Sequence, residues 1–173
     1  MRRVRLLIIV AISLFTLIAP THFAAAQSVA QPAAATKNVQ LSPQMTRIVE
    51  LVNQRRSEAG LAPVTVHPTL MTCAQQYSEV QASLGRIDHT GPDGSTPGQR
   101  LTRCGYRWKH YGENLAAGYV DADEVMAAWM ASPSHRRNIL NPKFREIGLG
   151  FAHRDDDPSQ YFDYYVMELG TRK

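Results

Sequence analysis

The chain has 173 residues, 44% of them hydrophobic, and a formal net charge of +4. That length excludes large multidomain enzymes and most (β/α)₈ barrels, and suits one domain with a real core. Arg2, Arg3 and Arg5 carry three of the four charges, with no acid near them, so the rest of the chain is close to neutral. A surface for nucleic acid is therefore not expected.

Residues 1–26 have the order of a secretory signal: a positive start, an apolar run from Leu6 to Ile18, then Ala24-Ala25-Ala26 as a small-residue cleavage site. The run is shorter than the roughly 20 residues a membrane helix takes, and no later stretch is apolar enough to span. Once the signal is removed, no stable span is expected. Residues 27–40 are rich in Ala and Gln and read as a flexible linker. The folded domain is placed at 41–171. This predicts a secreted or periplasmic protein, and a monomer. In such a compartment the even pair Cys73 and Cys104 reads as a disulfide, with two buried thiols as the alternative.

Ser42-Pro43 caps a helix whose apolar face is Met45, Ile48, Val49 and Val52, ending at Gly60. Leu61 to Val66 reads as a short extended connection. A second helix opens at Pro68, buries Leu70, Cys73, Ala74, Tyr77, Val80 and Leu84, and stops at Gly85. Asp88 to Gly98 is loop. Thr96 to Gln99 has the form of a capping box for a short helix reaching Cys104. Tyr106 to Asn114 reads as a short strand or extended loop. A further helix begins at Asp121 or Asp123 and buries Val125, Ala128 and Trp129, and Ser132-Pro133 starts a helical turn carrying His135. Ile147–His153 and Tyr161–Leu169 form an antiparallel hairpin around a polar turn. Alternation sets Tyr161, Asp163 and Tyr165 on one side and Phe162, Tyr164 and Val166 on the other, with one of these faces in the core. The fold class is α+β, with helices covering a small antiparallel sheet.

Three polar residues stand in loops or at helix starts: His89 in Asp-His-Thr-Gly, Glu113 in Gly-Glu-Asn, and His135 in Ser-His-Arg-Arg-Asn. Two imidazoles and a carboxylate suit a divalent metal such as Zn²⁺. They equally suit a general base with an orienting partner, or separate structural roles bonding nearby backbone. The His-Glu-x-x-His signature of helical metalloproteases is absent.

Read together, the motifs resemble the CAP superfamily (cysteine-rich secretory proteins, antigen 5 and pathogenesis-related 1 proteins), in its bacterial branch of SCP-like extracellular proteins. The matching pieces are Val52-Asn53-Gln54-Arg55-Arg56 with Gly60-Leu61, His89-Thr90 with Asp93-Gly94-Ser95, and Gly112-Glu113-Asn114-Leu115-Ala116-Ala117-Gly118. Trp129-Met130, Ser132-Pro133-Ser134-His135-Arg136-Arg137-Asn138-Ile139-Leu140 and Ile147-Gly148-Leu149-Gly150 follow in order. The resemblance implies an α-β-α sandwich whose central cleft carries His89, His135 and the acidic Glu113. Many members have a second glutamate where this chain has Ser132. Glu124 is only a distant substitute, so the cleft is one carboxylate short. The resemblance also implies that Asn114 and Asn138 bond backbone around the cleft and that Trp129 packs the helix.

The expected function is a non-catalytic binding or interaction module. Its His89, His135 and Glu113 cleft would take a divalent metal (Zn²⁺ or another cation) or a small ligand. Partners would be a small ligand, a lipid or a cell-surface component. The alternative is a metal-assisted hydrolase of peptides or cell-wall material, for which Ser132 and Ser134 lack a nucleophile-elbow setting. A third reading is a disulfide-braced envelope protein without a working cleft.

Overall fold

Residues 41–173 are described by the computed structural model. The signal and linker assignments lie outside the described residues. Ser42 accepts a hydrogen bond from Met45 N and Pro43 opens helix α1 (Pro43–Glu58). α2 (Pro68–Leu84) ends on Gly85 in the left-handed conformation, as a helix stop commonly does. α3 (Pro97–Arg103) starts with the expected capping box of Thr96 and Gln99. α4 (Ala122–Ala131) is capped by Asp121, and α5 (Pro133–Ile139) follows directly.

The sheet has order β1-β3-β4-β2, with β1 at Thr65–Val66, β2 at Trp108–Ala117, β3 at Glu146–His153 and β4 at Asp163–Arg172. β2, β3 and β4 are antiparallel. The extended connection before α2 adds a parallel edge, pairing Thr65 with Glu146 and Val66 with Ile147. Nothing in two residues signals a strand, because this pairing is supplied wholly by β3. β2 is longer than expected for the same reason: Tyr111 to Ala117 lies in register along β4, past an irregularity between Trp108 and His110.

Helices cover both faces. Tyr165, Met167 and Leu169 of β4 pack with Ile48, Val52, Val125, Trp129 and Ile147 in the larger core. Val166 faces the other way, with Ala74, Tyr77 and Leu115. The expectation of one buried face is therefore exceeded: Tyr164 and Tyr165 are both buried. β4 is central, and both its faces are covered. Tyr161 and Phe162 instead precede the strand, are partly exposed, and Phe162 has a positive φ of 63°.

The Gly-Leu-Gly of β3 sets how closely α2 approaches. A Cβ on Gly148 would run into the backbone of Leu70, and one on Gly150 into the backbone of Ala74. Backbone cannot rotate aside, so helix and sheet would have to separate. The disulfide Cys73–Cys104 then ties α2 to the end of α3. We predict that Gly150→Ala lowers unfolding free energy by about 2 kcal/mol or more, measured by urea denaturation. A loss well under that would mean α2 does not rest directly on β3.

Candidate functional site

Glu113 sits on the edge strand β2 with its side chain only 2% exposed. Its two oxygens are engaged separately. Oε1 lies 2.6 Å from His89 Nδ1, and Oε2 accepts from Arg100 Nη2 at 2.5 Å. A carboxylate can only accept, so the His89 proton facing it is on Nδ1. Arg100 comes from α3 and also donates through Nη1 to the backbone oxygens of His89 and Ser95. Its guanidinium lies 3.5 Å from the centre of the Tyr77 ring. One arginine thus fixes both the carboxylate and the chain carrying the imidazole.

The approach to His89 is held from α2. Tyr77 Oη and Gln81 Nε2 donate to Asp88 O, while Asp88 N donates to Gln81 Oε1. The Asp88 side chain accepts from Thr90 N, a local turn typical of Asp. This leaves the His89 side chain 56% exposed over a buried partner.

His135 arrives from the opposite layer, on α5. Asn114 Nδ2 donates to His135 O at 3.1 Å, and Asn138 Nδ2 donates to Glu113 O and Asn114 Oδ1. The expected Asn114 and Asn138 roles are therefore observed. Burial lowers the His135 pKa most, and the charge of His89 lowers it further. The hydrogen bond to Glu113 is the largest effect on His89 and raises its pKa against the opposing effect of burial.

Beside His135 runs a groove of about 270 Å³, lined by Ile87, Leu115, Tyr119, Trp129 and Tyr161 among others. Trp129 is buried and donates Nε1–H to Leu115 O, the packing role expected of it. Ser132 also lines the groove, its hydroxyl 3.1 Å from that of Ser134. Glu124 does not enter: its carboxylate accepts from Val120 N at the start of α4.

His89 and Glu113 are thus joined directly, and His135 is brought alongside. A three-ligand metal set is a different matter. Both Glu113 oxygens have donors and its side chain is only 2% exposed, so the carboxylate is turned towards Arg100 and His89. Among the described residues, no group of three His, Cys, Asp or Glu side chains is arranged to hold a cation. Sequence reasoning missed Arg100 and Glu168. Glu168 did leave a signal, a lone carboxyl inside the apolar run of β4. Arg100 left none, since arginine in a short polar helix is ordinary.

Comparison with known proteins adds a family context. The family model described as the cysteine-rich secretory protein family (CAP) matches residues 49–169. The protein YkwD of Bacillus subtilis (strain 168) is 36% identical over 116 residues, covering 67% of this chain and 45% of YkwD. An outer surface protein of Borrelia burgdorferi superposes with a TM-score of 0.70 at 26% identity, over 78% of this chain and 97% of that one. An extracellular SCP-domain protein of Bacillus anthracis gives 0.65 at 26% identity, over 78% of this chain and 45% of that one. The chain therefore spans less than half the length of YkwD and of the Bacillus anthracis protein. No described helix is long and apolar enough to cross a membrane.

Nuclear magnetic resonance titration of the imidazoles is predicted to place the His89 midpoint above 6.5 and that of His135 below it. In Glu113→Gln the His89 midpoint falls, because the hydrogen bond and charge of Glu113 are lost and only Asp88 still opposes burial and Arg100. A folded-state pKa above the unfolded value means the His89–Glu113 pair stabilises fully below about pH 6.5. That contribution disappears as pH rises through the folded midpoint. A His89 midpoint at or below that of His135 would contradict this arrangement.

Proposed function

Because the chain belongs to the cysteine-rich secretory protein (CAP) family, we propose that it is an extracytoplasmic binding module. Its ligand is a small molecule with an acidic head and an apolar body. The carrying observation is the double engagement of Glu113 by Arg100 and His89. Below its raised midpoint, with Nδ1 bound to Glu113, His89 presents Nε2–H from a positively charged ring. That is a donor for an anionic group. His135, its pKa lowered, is a neutral neighbour that supplies one donor and one acceptor. The adjacent groove, with Ile87, Tyr119, Trp129 and Tyr161, suits the apolar body.

The same observation removes Glu113 itself as a base acting directly on water. A general base needs a free lone pair within reach of the attacking water, and the oxygens of Glu113 are turned to Arg100 and His89. A divalent cation would have two imidazoles to bind, without the carboxylate. Export is supported by the signal-like order of residues 1–26 and by relatives described as outer surface and extracellular proteins.

The test uses octanoate as the acidic amphiphile and octanol as its uncharged counterpart, titrated by NMR below the His89 midpoint. We expect octanoate to shift signals of the groove and to bind about tenfold more weakly to His89→Ala, the effect of losing one charged hydrogen bond. Equal binding of octanol, or no change in His89→Ala, would overturn the reading. Zn²⁺ binding by calorimetry that vanishes in the folded His89→Ala/His135→Ala protein, without octanoate binding, would favour a cation instead.

A further inference from the structure

Glu168 lies in the central strand and is fully buried, yet neither carboxyl oxygen has a hydrogen-bond partner. The register sets it directly opposite Glu113 on β2. On its other side it faces Gly148 of β3, which has no side chain to reach it. The other charged group facing this point is Arg100 from α3, whose Nη2 is already on Glu113. Arg100 Nε is also without a partner, so it does not bond Glu168. From α2, Tyr77 turns its hydroxyl away to Asp88 O. His89 is bound to Oε1 of Glu113.

Two carboxylates cannot both be ionised here. Each buried charge needs a donor or cation, and the guanidinium and the imidazole are both held by Glu113. Glu113 therefore keeps the negative charge, and the proton remains on Glu168. Two carboxylates face each other with no donor between them, unless one carries a hydrogen. We propose that Glu168 is a neutral carboxylic acid that donates its O–H to the Glu113 carboxylate, and so is a positioning residue for His89. Burial and then the charge of Glu113 push the Glu168 carboxyl well above the ordinary range, in agreement.

Glu113 then accepts from three sides: Arg100, His89 and Glu168. This third contact removes the remaining freedom of the carboxylate and with it the freedom of the imidazole. The inference deepens the binding reading, since it explains how His89 is aimed, but its test needs no ligand.

Infrared difference spectra of wild type minus Glu168→Gln at neutral pH should show the C=O stretch of a protonated, buried carboxyl. ¹⁵N NMR above the His89 midpoint should find a single tautomer, protonated at Nδ1, in wild type and in Glu168→Gln, whose amide still donates. Glu168→Leu, of similar volume but without a donor, should show both tautomers. Absence of the protonated-carboxyl band overturns the neutral acid, and the Gln variant settles this even if the Leu variant does not fold. A single tautomer in folded Glu168→Leu overturns the positioning role.

Discussion

A guanidinium and a carboxylate meet inside this domain, and the cleft is arranged around their contact. Arg100 and Glu113 have side chains only 9% and 2% exposed. A buried pair of this kind adds little net stability over an apolar equivalent, yet removing one partner is costly, on the order of 3–5 kcal/mol. Its consequence is geometric. The contact fixes Oε2 of Glu113, Oε1 takes His89, and the other arm of Arg100 holds the His89 backbone. Arg100 can do this only if α3 stays in place. A helix of seven residues is too short to be stable alone. α3 is held by its capping box, by the disulfide at Cys104, and by the Trp108 indole donating to Gly98 O.

The opposite layer meets the same problem by other means. α5, also seven residues, carries His135. Its C-terminal end is gripped by Arg56 of α1, which is fully buried and donates to Ala62 O, Ile139 O, Asn141 O and Phe144 O. Among the described residues, no carboxylate answers this charge. Backbone carbonyls do, including those at a helix C-terminus, where a cation is favoured. The helix that presents His135 is thus secured by an arginine from α1, whereas α3 supplies its own arginine to the cleft. Asn138 and Asn114 then tie α5 to β2, so both histidines refer to one strand.

Much of this was legible in the chain. Helical spacing and capping residues located α1, α2 and α3, and the polar turn after His153 located the hairpin. The motif order placed His89, Glu113 and His135 in one cleft. Other features depended on partners that a linear reading does not contain. β1 exists because β3 lies beside it. β2 runs on to Ala117 because β4 continues beneath it. Tyr161 looks like strand by composition, but Asp157 accepts from the backbone N–H of both Tyr161 and Phe162, holding them in the turn. The role of Glu113 was the least legible. Only the family resemblance implies a carboxylate near the histidines; spacing alone does not. Whether it faces a ligand or is saturated from behind depends on Arg100 and Glu168, which come from distant segments.

The central claim is that Glu113 is locked by Arg100 and therefore orients His89. A double-mutant cycle with Arg100→Met and Glu113→Gln tests it most directly, with unfolding free energies of the four proteins compared. The account predicts strong coupling, about 2 kcal/mol or more between the two sites. Additivity to within about 0.5 kcal/mol would contradict it, because residues that do not depend on one another contribute independently.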